Sequence, residues 1–252
     1  MSTEFIAFLP QPGHSISSYD RGAPSSEQSS SVSSIFKEAM SIREEVFVHE
    51  QRVPLENELD ADDPRSFHWV VYASVSNTQS TPDGRRSSEG GRVPVGTIRL
   101  VPPPHPPHPE PGTSHAIDNA EGGKPKGEGD RKTSMHDGKE PYVKLGRLAT
   151  LKPYRKLGLG NLMVNTALEW AGKHPEQIMP LPNPMAREAK KIAGGETERE
   201  ERWDGLVLVH AQVDVEKMWA KYGFVKDEGM GVWEEEGIDH VGMWRRVPVK
   251  KI

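Results

Sequence analysis

The stretch YVKLGRLATLKPYRKLGLGNLMVNTALEWA, residues 142–171, reads as a strand, a basic glycine turn and a helix. Val143, Leu145 and Leu148 give the apolar alternation of a strand, while Val164, Ala167, Leu168 and Ala171 recur on one face of a helix. Between them lies Arg155-Lys156-Leu157-Gly158-Leu159-Gly160. Two glycines let the backbone approach an anion closely, and the helix N-terminus adds about half a positive charge at that point. Arg155 and Lys156 supply whole charges, so the turn reads as a cradle for a pyrophosphate, with a plain packing turn as the alternative. A P-loop needs Gly, four residues and Gly-Lys-Ser/Thr, and a dinucleotide fingerprint needs three glycines with an acidic residue about twenty positions on. Neither pattern fits.

At 252 residues and 34% hydrophobic content, the chain is poor in core-forming side chains for its length. Its 24 glycines and 22 prolines gather in a few stretches that read as insertions or tails. A net charge of −5 lacks the basic excess of a nucleic-acid binder. With no cysteine there is no disulfide framework, no thiolate nucleophile and no Cys-based zinc site. The N-terminus has no basic segment followed by an apolar run, and no window approaches about eighteen apolar residues. The expectation is therefore a cytoplasmic protein with neither nucleic acid nor membrane as a partner.

A single domain is expected over residues 1–252. After a short strand from Phe5 to Leu9, the Ser-, Gly- and Pro-rich residues 11–34 read as a mobile segment. Ile35, Met40, Ile42, Val46 and Phe47 suit one helix or two short ones, and the acidic loop LENELDADD follows. Strands at 67–74 and 95–101 flank an insertion, 76–93. Residues 102–141, with PPPHPPHPEP and a glycine-rich run, are too poor in apolar surface to order themselves; His105, His108, His115 and His136 there read as solvated rather than metal-bound. A third insertion, 174–203, carries REAKKIAGGETEREER, read as a surface helix broken at Gly194-Gly195. A strand at 205–212, a helix at 215–224 and the segment 230–246 complete an α/β layout with one mixed sheet.

The turn resembles the Arg-x-x-Gly-x-Gly/Ala element of the GNAT superfamily of N-acetyltransferases. Two more segments agree. IREEVFVHEQ (42–51) with ELDADD (58–63) and His68 is similar to the opening of the ElaA-like branch, and YGF (222–224) with EEEGIDHVGM (234–243) looks like its C-terminal pattern. The resemblance implies a GNAT fold, a mixed twisted sheet splayed between two central strands with flanking helices, here with long low-complexity insertions. It also implies acetyl-CoA as cosubstrate, and no metal.

By the same resemblance, Leu148, Ala149 and Thr150 pair with the pantetheine arm and polarise the thioester. Arg155, Lys156, Leu157, Gly158, Leu159, Gly160 and Asn161 hold the pyrophosphate, and Gln212 stands where many members carry a cofactor-contacting Asn. Many members place a catalytic Glu two residues ahead of Leu148, where this chain has Gly146, so the base must come from elsewhere. Glu50 and His240 are the candidates, with Asp60, Asp62, His68, His210 and Trp219 on the acceptor side. Structural roles compete: an ion pair of Glu50 with Arg43, a turn shaped by Asp60 and Asp62, a core position for His68. Trp219 occupies the position of the usual Tyr acid, and an indole N–H is too weak an acid to replace it, which leaves Tyr222 or water to protonate the thiolate.

The expected activity is direct acetyl transfer from acetyl-CoA to a small primary amine through a ternary complex. The acidic residues favour a cationic acceptor: an amino sugar such as glucosamine, a polyamine or an arylalkylamine. A protein lysine or N-terminal acetyltransferase and a non-catalytic acyl-CoA-binding regulator are the rival readings, and a homodimer is compatible with any of them.

Overall fold

The computed structural model describes residues 5–76, 90–115, 130–180 and 202–250. The expected break at Gly194-Gly195 and the middle of each insertion lie outside them. In chain order the elements are β1 (Ile6–Leu9), α1 (Ser34–Arg43), β2 (Phe67–Ser76), β3 (Gly90–Val101), β4 (Ser114–His115), β5 (Val143–Thr150), α2 (Leu159–Lys173), α3 (Pro175–Ile178), β6 (Leu206–Gln212), α4 (Glu216–Lys221), β7 (Val225–Lys226), β8 (Val232–Glu235) and β9 (Ile238–Arg246). A π-helical turn, Glu44–Glu50, continues α1. Among the described residues no helix is long and apolar enough to cross a membrane.

The chain divides into two compact units, and β5 and α2 each contribute to both. The first unit holds Met1–Leu59, Asp63–Arg99 and Arg147–Val164. Its strands follow the order β1-β2-β3-β5, with β1 antiparallel to β2 in the register Ile6 to Val71 and Leu9 to His68. Helix α1 buries Phe36, Ala39, Met40 and Ile42, and Ala39 and Ile42 pack with Val70, Tyr72 and Ala149.

Residues 11–34 depart from the expected mobile segment. Ile16, Tyr19 and Val32 are buried and pack with Phe36, Met40 and Leu59. Glu44 anchors the same segment, accepting hydrogen bonds from the Tyr19 hydroxyl at 3.1 Å and from the Ser25 N–H and hydroxyl at 2.8 and 3.0 Å. Three scattered apolar residues and one buried carboxylate order a stretch whose composition alone reads as coil.

Below that cluster lies a buried charge network. Arg43, 1% exposed, donates to Glu58 at 2.5 Å and to Asp63 at 2.7 Å. Arg99 reaches Asp63 at 2.9 Å, and Arg147 reaches Glu58 at 3.3 Å. Burial disfavours the Arg43 cation, but Asp63 and Glu58 hold it charged. Arg147 is also a non-glycine residue at positive φ, 48°, and its ion pair with Glu58 lies within the first unit.

The second unit holds Asp60–Asp62, Leu100–Gly146 and Asn165–Ile252. Its strands follow β5-β6-β9-β8-β4, with β7 also on β9. Parallel pairing of β5 with β6 covers Val143 with Val207 and Lys144 with Leu208, whereas β6 pairs with β9 along its whole length. The segment 230–246 contains a hairpin, β8–β9, closed by Glu236 and Gly237 at φ 52° and 78°, the paired positive values of a type I′ turn. Strands β4 and β7, two residues each, carry no readable periodicity.

The described parts of 102–141 also depart from expectation, since they pack onto this sheet. Tyr142, Leu206, Leu208, Met230, Trp233 and Trp244 form a core cluster of this unit. His108 and His136, each 4% exposed, lie against Tyr142 and Trp244. Asp227, fully buried, clamps the returning limb: it accepts from the Thr133 and Ser134 hydroxyls, from the Met135 and Gly229 N–H groups and from the Trp244 indole. Polar anchoring and ring stacking supply the order that apolar content does not.

Candidate active site

In the first unit, the basic turn is built as its sequence reads. Gly158 sits at φ +81°, and a Cβ added there would meet nothing within 4 Å. Lys156 takes φ 65°, a conformation that costs a non-glycine residue about 1–3 kcal/mol and gathers at ligand-binding turns. The first bond of α2 runs from the Leu162 N–H to the Gly158 carbonyl at 3.0 Å, so the N–H groups of Leu159 and Gly160 have no acceptor within the helix. Arg155, Lys156 and Leu157 are exposed. The result is an open, positively charged helix N-terminus with glycine clearance, the chemistry a pyrophosphate requires.

Arg155 is held in place from two sides. Its Nε donates to the Thr150 carbonyl at 2.9 Å and its Nη2 to Glu50 at 2.7 Å. Glu50 therefore pairs with the turn, not with Arg43. Leu148 and Thr150 are half-buried and Ala149 is buried at the end of β5.

In the second unit, the paired register of β6 and β9 sets Gln212 opposite His240 and His210 opposite Gly242. Directly opposed residues share a face. His240 donates its Nδ1–H to the Ile238 carbonyl at 2.8 Å, so that in the neutral ring Nε2 carries the lone pair. His210 donates Nδ1–H to Glu235 at 2.7 Å, and the Trp233 indole reaches the same oxygen at 2.8 Å. The Nε2 of His210 is buried without a hydrogen-bond partner. Burial pushes His210 down to about 4, aided by Lys144 and opposed by Glu235. Burial alone would raise Glu235, but His210 and its hydrogen bond hold the carboxyl well below the usual range. On both imidazoles Nδ1 is engaged by an oxygen acceptor, the Ile238 carbonyl for His240 and the Glu235 carboxylate for His210.

Two sequence-based assignments are corrected. His68 is 1% exposed, bonded through Nε2 to the Asp63 carbonyl at 3.1 Å and set edge-on to Phe36. It is a core histidine, driven down to about 4 by burial, and has no surface to offer a substrate. Trp219, 5% exposed, packs edge-on against Tyr222 and Phe224 and is likewise core. Asp60 accepts the Asp62 N–H at 2.9 Å and shapes a turn. Tyr222 is half-buried, and burial raises its phenol. Glu235, Arg147 and Asp227 escaped the sequence reading, because an acid in a charged segment shows its partner only after strands pair. Gly146 is equally informative: a Cβ there would meet nothing within 4 Å, so the position of the usual base is open.

A model of the acetyltransferase (GNAT) family matches residues 34–181, more than half of the chain. Among solved structures, the chain is similar to an acyl-CoA N-acyltransferase from Pseudomonas aeruginosa, at 21% identity over 83% of this chain and 89% of that one, with a TM-score of 0.45. Escherichia coli ElaA gives 18% identity over 96% and 99%, with a TM-score of 0.46. No curated protein matches the chain.

Proposed function

The chain belongs to the acetyltransferase (GNAT) family of acyl-CoA N-acyltransferases, and from that premise we propose that it transfers acetyl from acetyl-CoA to a small primary amine. The observation that carries the reading is the open turn from Arg155 to Gly160, where Gly158 at φ +81° leaves clear space at a helix N-terminus. Acetyl-CoA, when bound, supplies an acyl group activated as a thioester. The turn's N–H groups and Lys156 hold the pyrophosphate, and Arg155 is positioned for it by Glu50 and the Thr150 carbonyl. Backbone groups of Leu148, Ala149 and Thr150 orient the pantetheine arm.

An amine attacks only when unprotonated, so a base has to take its proton. We assign that step to His240, which shares a face with Gln212 and His210 and whose Nε2 carries the lone pair in the neutral ring. At about 4, His210 is too weak to hold a proton at neutral pH. Tyr222 or water returns a proton to the departing thiolate. The ElaA-like branch fits this reading: Arg43, Asp63 and His68 of its pattern are buried together with Glu58, which leaves the acceptor set by other residues.

The test incubates the full chain with acetyl-CoA and glucosamine, spermidine, phenethylamine or lysine-containing peptides, with products identified by mass spectrometry. Acetylation of a small amine is expected. Acetylated peptide alone would move the assignment to a protein acetyltransferase, and no product with any acceptor would make the chain an acyl-CoA-binding regulator.

A further inference from the structure

We propose that His108, Asp130 and His136, none of them assigned to acyl transfer, form a zinc(II) site in the second unit. His108 Nε2 lies 3.1 Å from Asp130 Oδ2 and 3.2 Å from His136 Nδ1, and all three ligand atoms fall within 4.8 Å of one another. A tetrahedral zinc with bonds of about 2.0–2.1 Å has ligand atoms roughly 3.3–3.4 Å apart. Two edges of that tetrahedron are already present, and a small shift closes the third.

The proton positions support a metal. His136 donates Nε2–H to the Glu140 carbonyl at 2.9 Å, so its Nδ1 faces the cluster as a bare lone pair. Asp130 presents a second acceptor. A single hydrogen on His108 Nε2 cannot serve both at full strength, whereas one cation satisfies all three atoms. The carboxylate is oriented as a ligand would be: Oδ1 accepts the backbone N–H groups of His108 and Arg131, both at 2.7 Å, and Oδ2 the Tyr142 hydroxyl at 3.3 Å. Tyr142 and Trp244 wall the imidazoles with aromatic surface.

Asp130 and His136 also line a cavity of about 440 Å³ bounded by Pro103, Tyr142 and Ile178. That cavity gives the fourth coordination position room for water or a small anionic ligand. The ion would join the limb carrying His108 to the limb carrying Asp130 and His136, and so fasten a stretch poor in apolar residues to the sheet.

The full chain, stripped with chelator and dialysed, is titrated with zinc chloride in a calorimeter and with cobalt(II) in a spectrophotometer. One tight equivalent of zinc per chain is expected, with an intense visible cobalt band of four-coordinate type and a raised melting temperature on adding zinc. His136→Ala and Asp130→Asn should lose the tight equivalent and the band. Because a buried variant can fail to fold, the wild-type cobalt spectrum stands as an independent reading. A folded wild-type chain that takes up no stoichiometric zinc, or gives only the weak band of hydrated cobalt, overturns the site; unchanged binding in folded variants does the same.

Discussion

His240 and Glu50 are both candidate bases in the sequence, and the proposed function gives them different roles. His240→Gln should lower turnover by roughly 10²- to 10⁴-fold, the usual worth of a positioned base, with acyl-CoA affinity unchanged. Glu50→Gln should do the reverse. Its pair with Arg155 is 28% and 38% exposed at the side chains, so screening limits it to about 1 kcal/mol or less; affinity should fall less than about tenfold while saturated turnover holds. A steady-state split of kcat and KM with thiol release separates the two, and a large kcat loss in Glu50→Gln would return the base to that carboxylate. Gly146→Glu places an acid where many relatives by resemblance keep one, in open space. It should fold normally and restore part of the rate lost in His240→Gln. Arg155 and Gly158 were legible in sequence because the cradle is local. The pairing of His210 with Glu235 joins residues 25 apart, and no spacing rule announces it.

Helices and strands in the order expected of an α/β chain were readable from periodicity, but the segments between them were misjudged for one physical reason. Residues 11–34 and the described parts of 102–141 are short of apolar surface, and buried polar groups anchor them, Glu44 in the first and Asp227 in the second. The Asp227 carboxylate is held below its ordinary value: burial opposes this, but hydrogen bonds from Ser134, Thr133 and Trp244 prevail. Asp227→Asn removes an acceptor oxygen and turns an N–H donor toward other donors. It should cost about 1–3 kcal/mol, with early proteolysis near residues 133–135; equal stability and equal cleavage would show that ring stacking alone holds the limb. The buried histidines give each unit a pH dependence. His68 and His210 are both pushed from 6.5 to about 4 by burial, so between these values the unfolded chain binds more protons than the folded one. Stability is complete above about pH 6.5 and declines as pH falls toward 4. The urea midpoint should therefore be lower at pH 5 than at pH 7, and an unchanged midpoint would contradict the neutral, buried assignment.

For the chain taken entire, family membership followed from three motifs and the order of its elements from periodicity, whereas the acceptor did not, because it depends on side chains that only folding assembles. The proposed activity requires the turn from Arg155 to Gly160 to hold the cosubstrate's pyrophosphate. Calorimetric titration of acetyl-CoA into the wild-type chain and into Gly158→Val tests this directly. Gly158 is exposed, so the fold should survive, while a β-branched residue at φ +81° strains the turn by about 1–3 kcal/mol and fills its clearance. One acetyl-CoA should bind per wild-type chain, with affinity reduced at least about tenfold in a variant that unfolds cooperatively; equal affinity in the two proteins would mean that the cosubstrate is held elsewhere.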